Sequence, residues 1–96
     1  MITHVVLFRF LDGVTRDEPG VQAMHSALQK LPGVIDEIRD WQCGFNSTSD
    51  EQAWDYILVA SFESRAALYS YFEHPSHVEV MELVNKVAEI GFGDLE

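Results

Sequence analysis

The run Ile2–Phe10 is largely apolar on both of its sides, and this constrains the rest of the chain more than any other feature. It reads as a strand of β-branched and aromatic residues. Ile2, His4, Val6, Phe8 and Phe10 alternate onto one face; Thr3, Val5, Leu7 and Arg9 take the other. Such a strand needs cover on both sides. A second run, Trp54–Phe62, makes the same demand. Trp54, Tyr56, Leu58, Ala60 and Phe62 share one face, and Asp55, Ile57, Val59 and Ser61 the other. Ninety-six residues make one domain, expected over residues 1–96, with helices enough for one sheet face. Val5, Leu7, Ile57 and Val59 would be left bare, so a second copy of the chain is expected to cover them.

The remaining elements follow from punctuation and periodicity. Asp12-Gly13 signals a turn, and Thr15-Arg16-Asp17-Glu18 fits a capping box. The helix after it puts Val21, Met24, Leu28 and Leu31 on one stripe and stops at Pro32-Gly33. Residues 34–46 read as a less regular strand with Trp41, Cys43 and Phe45 on one face, followed by the polar loop 46–50. Ser64 can cap a short helix containing Leu68, Tyr71 and Phe72. A further helix from Pro75 places His77, Val80, Met81, Val84 and Ala88 opposite a wet face of Glu79, Glu82, Lys86 and Glu89. Residues 91–96 complete the chain as an edge strand. The order β-α-β-β-α-(α)-β is the ferredoxin-like split βαβ pattern. It is an α+β fold with a four-stranded antiparallel sheet and helices on one face.

Charge removes several function classes. Formal net charge is −10, with six Lys and Arg, and pairing two chains doubles it. Phosphate backbones and anionic membrane surfaces need basic patches, so neither nucleic acid nor a membrane is expected as a partner. No apolar run approaches the roughly 20 residues of a membrane span. The first residues lack a basic segment and cleavage pattern, so no signal peptide is expected. The single cysteine, Cys43, cannot form an internal disulfide, which fits a cytoplasmic location and an inert buried thiol. No HExxH motif, cysteine cluster or glycine-rich phosphate loop occurs. Neither a metal nor an organic cofactor is expected.

One segment carries candidate chemistry: Tyr71-Phe72-Glu73-His74-Pro75-Ser76-His77. Pro75 has no N–H, so one helix should end before it and another start on it. His74 then sits near the N-cap and His77 in the first turn. Unsatisfied N–H groups and the helix dipole disfavour imidazolium there. His77 is thus a candidate neutral base near pH 7.

At this point the chain resembles the stress-responsive α/β barrel (Dabb) family of dimeric ferredoxin-like proteins. The resemblance spans nearly the whole chain. It rests on Ile2–Phe10, Leu31-Pro32-Gly33-Val34, Gly44-Phe45-Asn46, Asp55–Ser64, Ala67–Tyr71 and His74-Pro75-Ser76-His77-Val78, in that order. It implies two four-stranded sheets paired face to face as a dimeric barrel. A plant member closes a linear polyketide by an intramolecular aldol step without metal or cofactor. Its acid–base pair corresponds to His77 and Tyr71 here, and a first-strand histidine to His4. A further pocket histidine of that enzyme falls at Tyr56, so the resemblance does not carry its substrate over.

The residues, read alone, agree with this arrangement. His4 and Tyr56 lie on the faces expected to meet the helices, and His77 and Tyr71 point at them from the other layer. The expected result is an apolar pocket with a few convergent polar groups, lined also by Phe8, Trp54, Leu58, Val80 and Met81. A neutral histidine suits proton abstraction, and a tyrosine hydroxyl can hold or protonate an enolate. The expected ligand is small and apolar or carbonyl-rich, and the expected chemistry is of cyclase or isomerase type. Two alternatives stand beside it: a non-catalytic stress or ligand-binding protein, and a cofactor-free monooxygenase. The bland counterparts are a buried His77 bonded to a backbone carbonyl, Tyr56 as a core aromatic with its hydroxyl satisfied, His74 as a cap and His25 as a surface or edge residue.

Overall fold

A computed structural model describes residues 1–96. Four strands, β1 (Ile2–Phe10), β2 (Asp40–Phe45), β3 (Tyr56–Phe62) and β4 (Ala88–Leu95), form one antiparallel sheet in the order β2-β3-β1-β4. Three helices, α1 (Pro19–Lys30), α2 (Arg65–Glu73) and α3 (Pro75–Asn85), cover one face. This is the α+β ferredoxin-like arrangement. The two-sided strand β1 sits inside the sheet, with Val5 opposite Val59 and Gly93 on its two neighbours.

The alternation of β1 and β3 resolves as expected. Ile2, His4, Val6, Phe8, Tyr56, Leu58, Ala60 and Phe62 are buried towards the helices. Val21, Met24 and Leu28 of α1 meet them, with Leu68 and Tyr71 of α2 and Val80 and Val84 of α3. The Ser64 hydroxyl accepts a hydrogen bond from the Ala67 N–H at the start of α2. On the opposite face no element of the chain covers Val5, Leu7, Ile57 or Val59, and Leu7 is 37% exposed.

Four local expectations are corrected. Thr15–Glu18 is not a capping box: α1 starts on Pro19, and Glu18, its N-cap, makes no side-chain cap bond. The fixed φ of proline suits the first helical position better than three residues further in. Residues 34–39 are not strand. Leu31–Gly33 forms a 3-10 turn, and Ile35 and Ile38 enter the core at a spacing of three rather than two. The last helix stops at Asn85 and β4 begins at Ala88, earlier than its polar tail suggests. The free edge of β1 explains this: its N–H and C=O groups need partners, and β4 supplies them from Phe10↔Ala88 to Thr3↔Leu95.

The fourth correction concerns Trp54. The strand β3 starts at Tyr56, because Asp55 uses its side chain as a ladder partner: its carboxylate accepts from the Phe10 N–H at 2.8 Å. Alternation fails across that point, and Trp54 turns to the uncovered face. There the Arg9 guanidinium lies 4.5 Å from its ring. The ring also lies 3.6 Å from where a side chain on Gly91 would begin.

Candidate active site

A cavity of about 260 Å³ opens between the sheet and helices α2 and α3. His4, Tyr71 and His77 line it, together with Phe8, Leu58, Val80 and Met81 from the expected set. Trp54 and Tyr56 do not line it. Trp54 lies across the sheet, and Tyr56 is wholly buried in the core. Phe72, Ile90 and Phe92 line it although composition and spacing gave no reason to single them out. Phe92 is 60% exposed and marks the rim.

His77 is placed by the break between α2 and α3. His74 serves as N-cap of α3, its Nδ1 accepting from the Ser76 N–H at 3.1 Å. The Nδ1–H of His77 donates to the Phe72 carbonyl at 3.1 Å, one of the carbonyls left free at the end of α2. A carbonyl can only accept, so this bond fixes the proton on Nδ1 and leaves Nε2 with its lone pair. Burial lowers the pKa of the imidazole. The Phe72 carbonyl opposes the shift, and nearby His4 and His74 reinforce it. The bond to backbone and the place on the cavity wall coexist, so the two sequence readings of His77 are not exclusive.

Tyr71 packs its ring 4.4 Å from that of His77. Burial, with the Cys43 thiol adding, pushes its phenol far above the ordinary range. It is a proton donor at neutral pH and not a base. His4 is 3% exposed and its ring lies 6.1 Å from that of Tyr71. Its Nδ1–H donates to the Asp94 carboxylate at 2.6 Å. Asp94 therefore fixes the tautomer and orientation of a cavity histidine. Sequence reasoning missed this role for Asp94. The signal was present only in the β1–β4 register, where His4 faces Asp94.

Tyr56 belongs to a different cluster. Its hydroxyl lies 2.6 Å from His25 Nδ1, and burial followed by the Cys43 thiol raises its pKa. His25 is thus half-buried and hydrogen-bonded, not a bare surface residue. No three His, Cys, Asp or Glu side chains come together as a metal site. No helix is long and apolar enough to cross a membrane.

Residues 2–92 match the family model described as the stress responsive A/B barrel domain. The chain belongs to this family. It is 38% identical over 96 residues to an uncharacterized protein of Streptomyces coelicolor, covering 100% of this chain and 99% of that one. It is 24% identical over 96 residues to olivetolic acid cyclase of Cannabis sativa, covering 98% of this chain and 81% of the cyclase. A dimeric protein of unknown function with a ferredoxin-like fold from Bacteroides fragilis superposes with a TM-score of 0.83 at 27% identity, covering 99% and 94% of the two chains. A hydroxynitrile lyase from Passiflora edulis shares the fold of this A/B barrel chain, with a TM-score of 0.82 at 14% identity over 98% and 90%.

Proposed function

We propose that this protein is a homodimer whose subunits each use the cavity for cofactor-independent acid–base chemistry on a small carbonyl compound. One observation carries the chemical part. A desolvated His77, with Nδ1–H tied to the Phe72 carbonyl, shares an apolar cavity with Tyr71, whose ring lies 4.4 Å from the imidazole and whose phenol burial keeps protonated. The roles divide by proton state. His77 Nε2 takes a proton from carbon next to a carbonyl. The Tyr71 O–H donates to the oxygen as enolate charge develops, where a donor held in a dry site counts most. The proton held on His77 then returns to carbon or passes to the oxygen of the attacked carbonyl, and His4, oriented by Asp94, assists from the same cavity wall. An enolate formed this way can attack a second carbonyl, shift a double bond or regain its proton, which are cyclase- and isomerase-type outcomes. Olivetolic acid cyclase among the relatives supports the aldol variant.

The dimeric part rests on the bare face of the sheet and on the dimeric neighbour. Gly44, Gly91 and Gly93 lie on that face beside Ile57, Leu7 and Val5. A side chain at Gly44 or Gly93 would meet nothing within 4 Å in the single chain. Glycine there suits the close approach of another sheet.

The test is α-proton exchange of acetophenone in D₂O, followed by NMR. The protein should accelerate exchange over buffer. His77→Ala and Tyr71→Phe should each lower the rate by about 10²-fold, the usual scale for a positioned base or acid. Binding without any acceleration would favour the ligand-binding reading instead.

A further inference from the structure

We propose that the cavity takes its carbonyl compound free and uncharged, at about the size of one substituted ring. Carboxylates and thioesters on a phosphate-bearing carrier are excluded. This rests on the acid–base reading for why a carbonyl is bound, but the argument for size and charge stands on the cavity itself.

Size comes first. The cavity holds about 260 Å³. Cavities of about 150 Å³ already accept benzene, and pockets for drug-sized ligands start near 300 Å³. One ring with a short carbonyl substituent fills the space between those limits.

Charge comes second. No Lys or Arg lines the cavity. All four arginines are engaged elsewhere. Arg39 pairs with Glu63 and Arg65 with Glu96, while Arg9 lies over Trp54 and Arg16 over Phe45. The two imidazoles are poor counter-ions. Asp94 already occupies the Nδ1 side of His4, and burial disfavours the cationic form of His77. An anion entering here would lose its hydration with nothing to replace it. The approach is also unfavourable. The rim residue Phe92 stands on β4 two residues from Asp94, whose carboxylate lies on the same side of the sheet against His4. A phosphate-bearing carrier held at that rim would meet like charge, in a chain with a net charge of −10.

A matched pair of probes tests this by ligand-observed NMR on the intact protein at low salt: 4-acetylbenzamide, which is neutral, and 4-acetylbenzoate, which has the same shape with a negative charge. The amide should bind, and the carboxylate should bind at least about 10²-fold more weakly. Phe92→Arg, at a rim position that is 60% exposed, should recover at least tenfold of the carboxylate affinity, with an unchanged melting temperature showing that the fold is kept. Equal binding of the two probes within threefold would overturn the proposal, as would failure of the amide to bind or of Phe92→Arg to help the anion. Failure of the acid–base reading looks different: the amide binds with the expected selectivity, and acetophenone shows no accelerated exchange.

Discussion

The two faces of the sheet use the same strands in opposite ways. On the helix side, alternate residues of β1 and β3 are buried almost completely, and the apolar wall is interrupted where His4, Tyr71 and His77 meet and where Tyr56 meets His25. On the other side, Val5, Leu7, Ile57 and Val59 are as apolar as a core but have no cover from their own chain. The covered face carries His4 and Tyr56 with defined hydrogen-bond partners; the bare face carries glycines and aliphatic side chains at its centre, with the Arg9–Trp54 pair beside them. A two-residue repeat thus separates chemistry from assembly within one strand. Changes on one face should then leave the other largely intact, and that separation can be attacked directly.

The largest expected effect is on the bare face. Val59→Asp places a charge where the partner sheet would lie, and an unpaired buried charge costs several kcal/mol. Sedimentation of the unaltered protein at micromolar concentration should give twice the 10.9 kDa chain mass, and the variant should give the monomer or unfold. A variant that stays dimeric and stable would show that assembly uses another surface.

Next in size is the orientation of His4. Asp94→Asn keeps the shape and removes the charge that holds the Nδ1 proton. Partners that orient a functional histidine commonly contribute about 10- to 100-fold. The exchange rate should fall towards the lower end of that range, with the dimer unchanged by sedimentation. A loss of dimer without loss of rate would reverse the assignment of the two faces.

Acid should act through the covered face. The folded pKa of His77 lies below its ordinary 6.5 because burial opposes the charged form. Between the folded and unfolded values the unfolded chain binds more protons. The stabilising contribution is therefore present above about 6.5 and is lost as pH falls through the folded value. Melting midpoints measured from pH 8 to 5 should decline on the acid side, and His77→Gln should flatten that decline. An identical acid limb in the variant would place the titration elsewhere.

Much of this was legible in the sequence, for a definite reason. Period-two alternation in β1 and β3, the α1 stripe and the Pro75 break are local signals, and each has one structural solution. The contacts that complete the site are not local. Asp94 reaches His4 through strand pairing across 90 residues, and Phe92 reaches the rim through the same register. Trp54 shows the limit from the other direction. Its alternation with Tyr56 was plain, but the Asp55 carboxylate replaced a ladder acceptor and turned the preceding residue to the far face. No pattern of hydrophobicity encodes that exchange of a backbone partner for a side chain.

Tyr56 gives the smallest effect and the sharpest contrast with Tyr71. Both are buried tyrosines on the covered face, and the sequence placed both at the pocket. The structure separates them: the Tyr71 ring faces the cavity beside His77, while the Tyr56 hydroxyl is held by His25 at 2.6 Å. Tyr56→Phe keeps the ring and its packing against Phe8 and Phe45. It deletes one hydrogen bond, and half-buried His25 can turn to water in compensation. The expected cost is about 1 kcal/mol of stability, visible as a small drop in melting temperature. The rate of α-proton exchange should stay within about twofold, whereas Tyr71→Phe lowers it about 10²-fold at little cost in stability. If Tyr56→Phe instead abolished exchange with stability unchanged, the hydroxyl at Tyr56 would be part of the reacting group, and the cavity would have to open towards α1 to reach it.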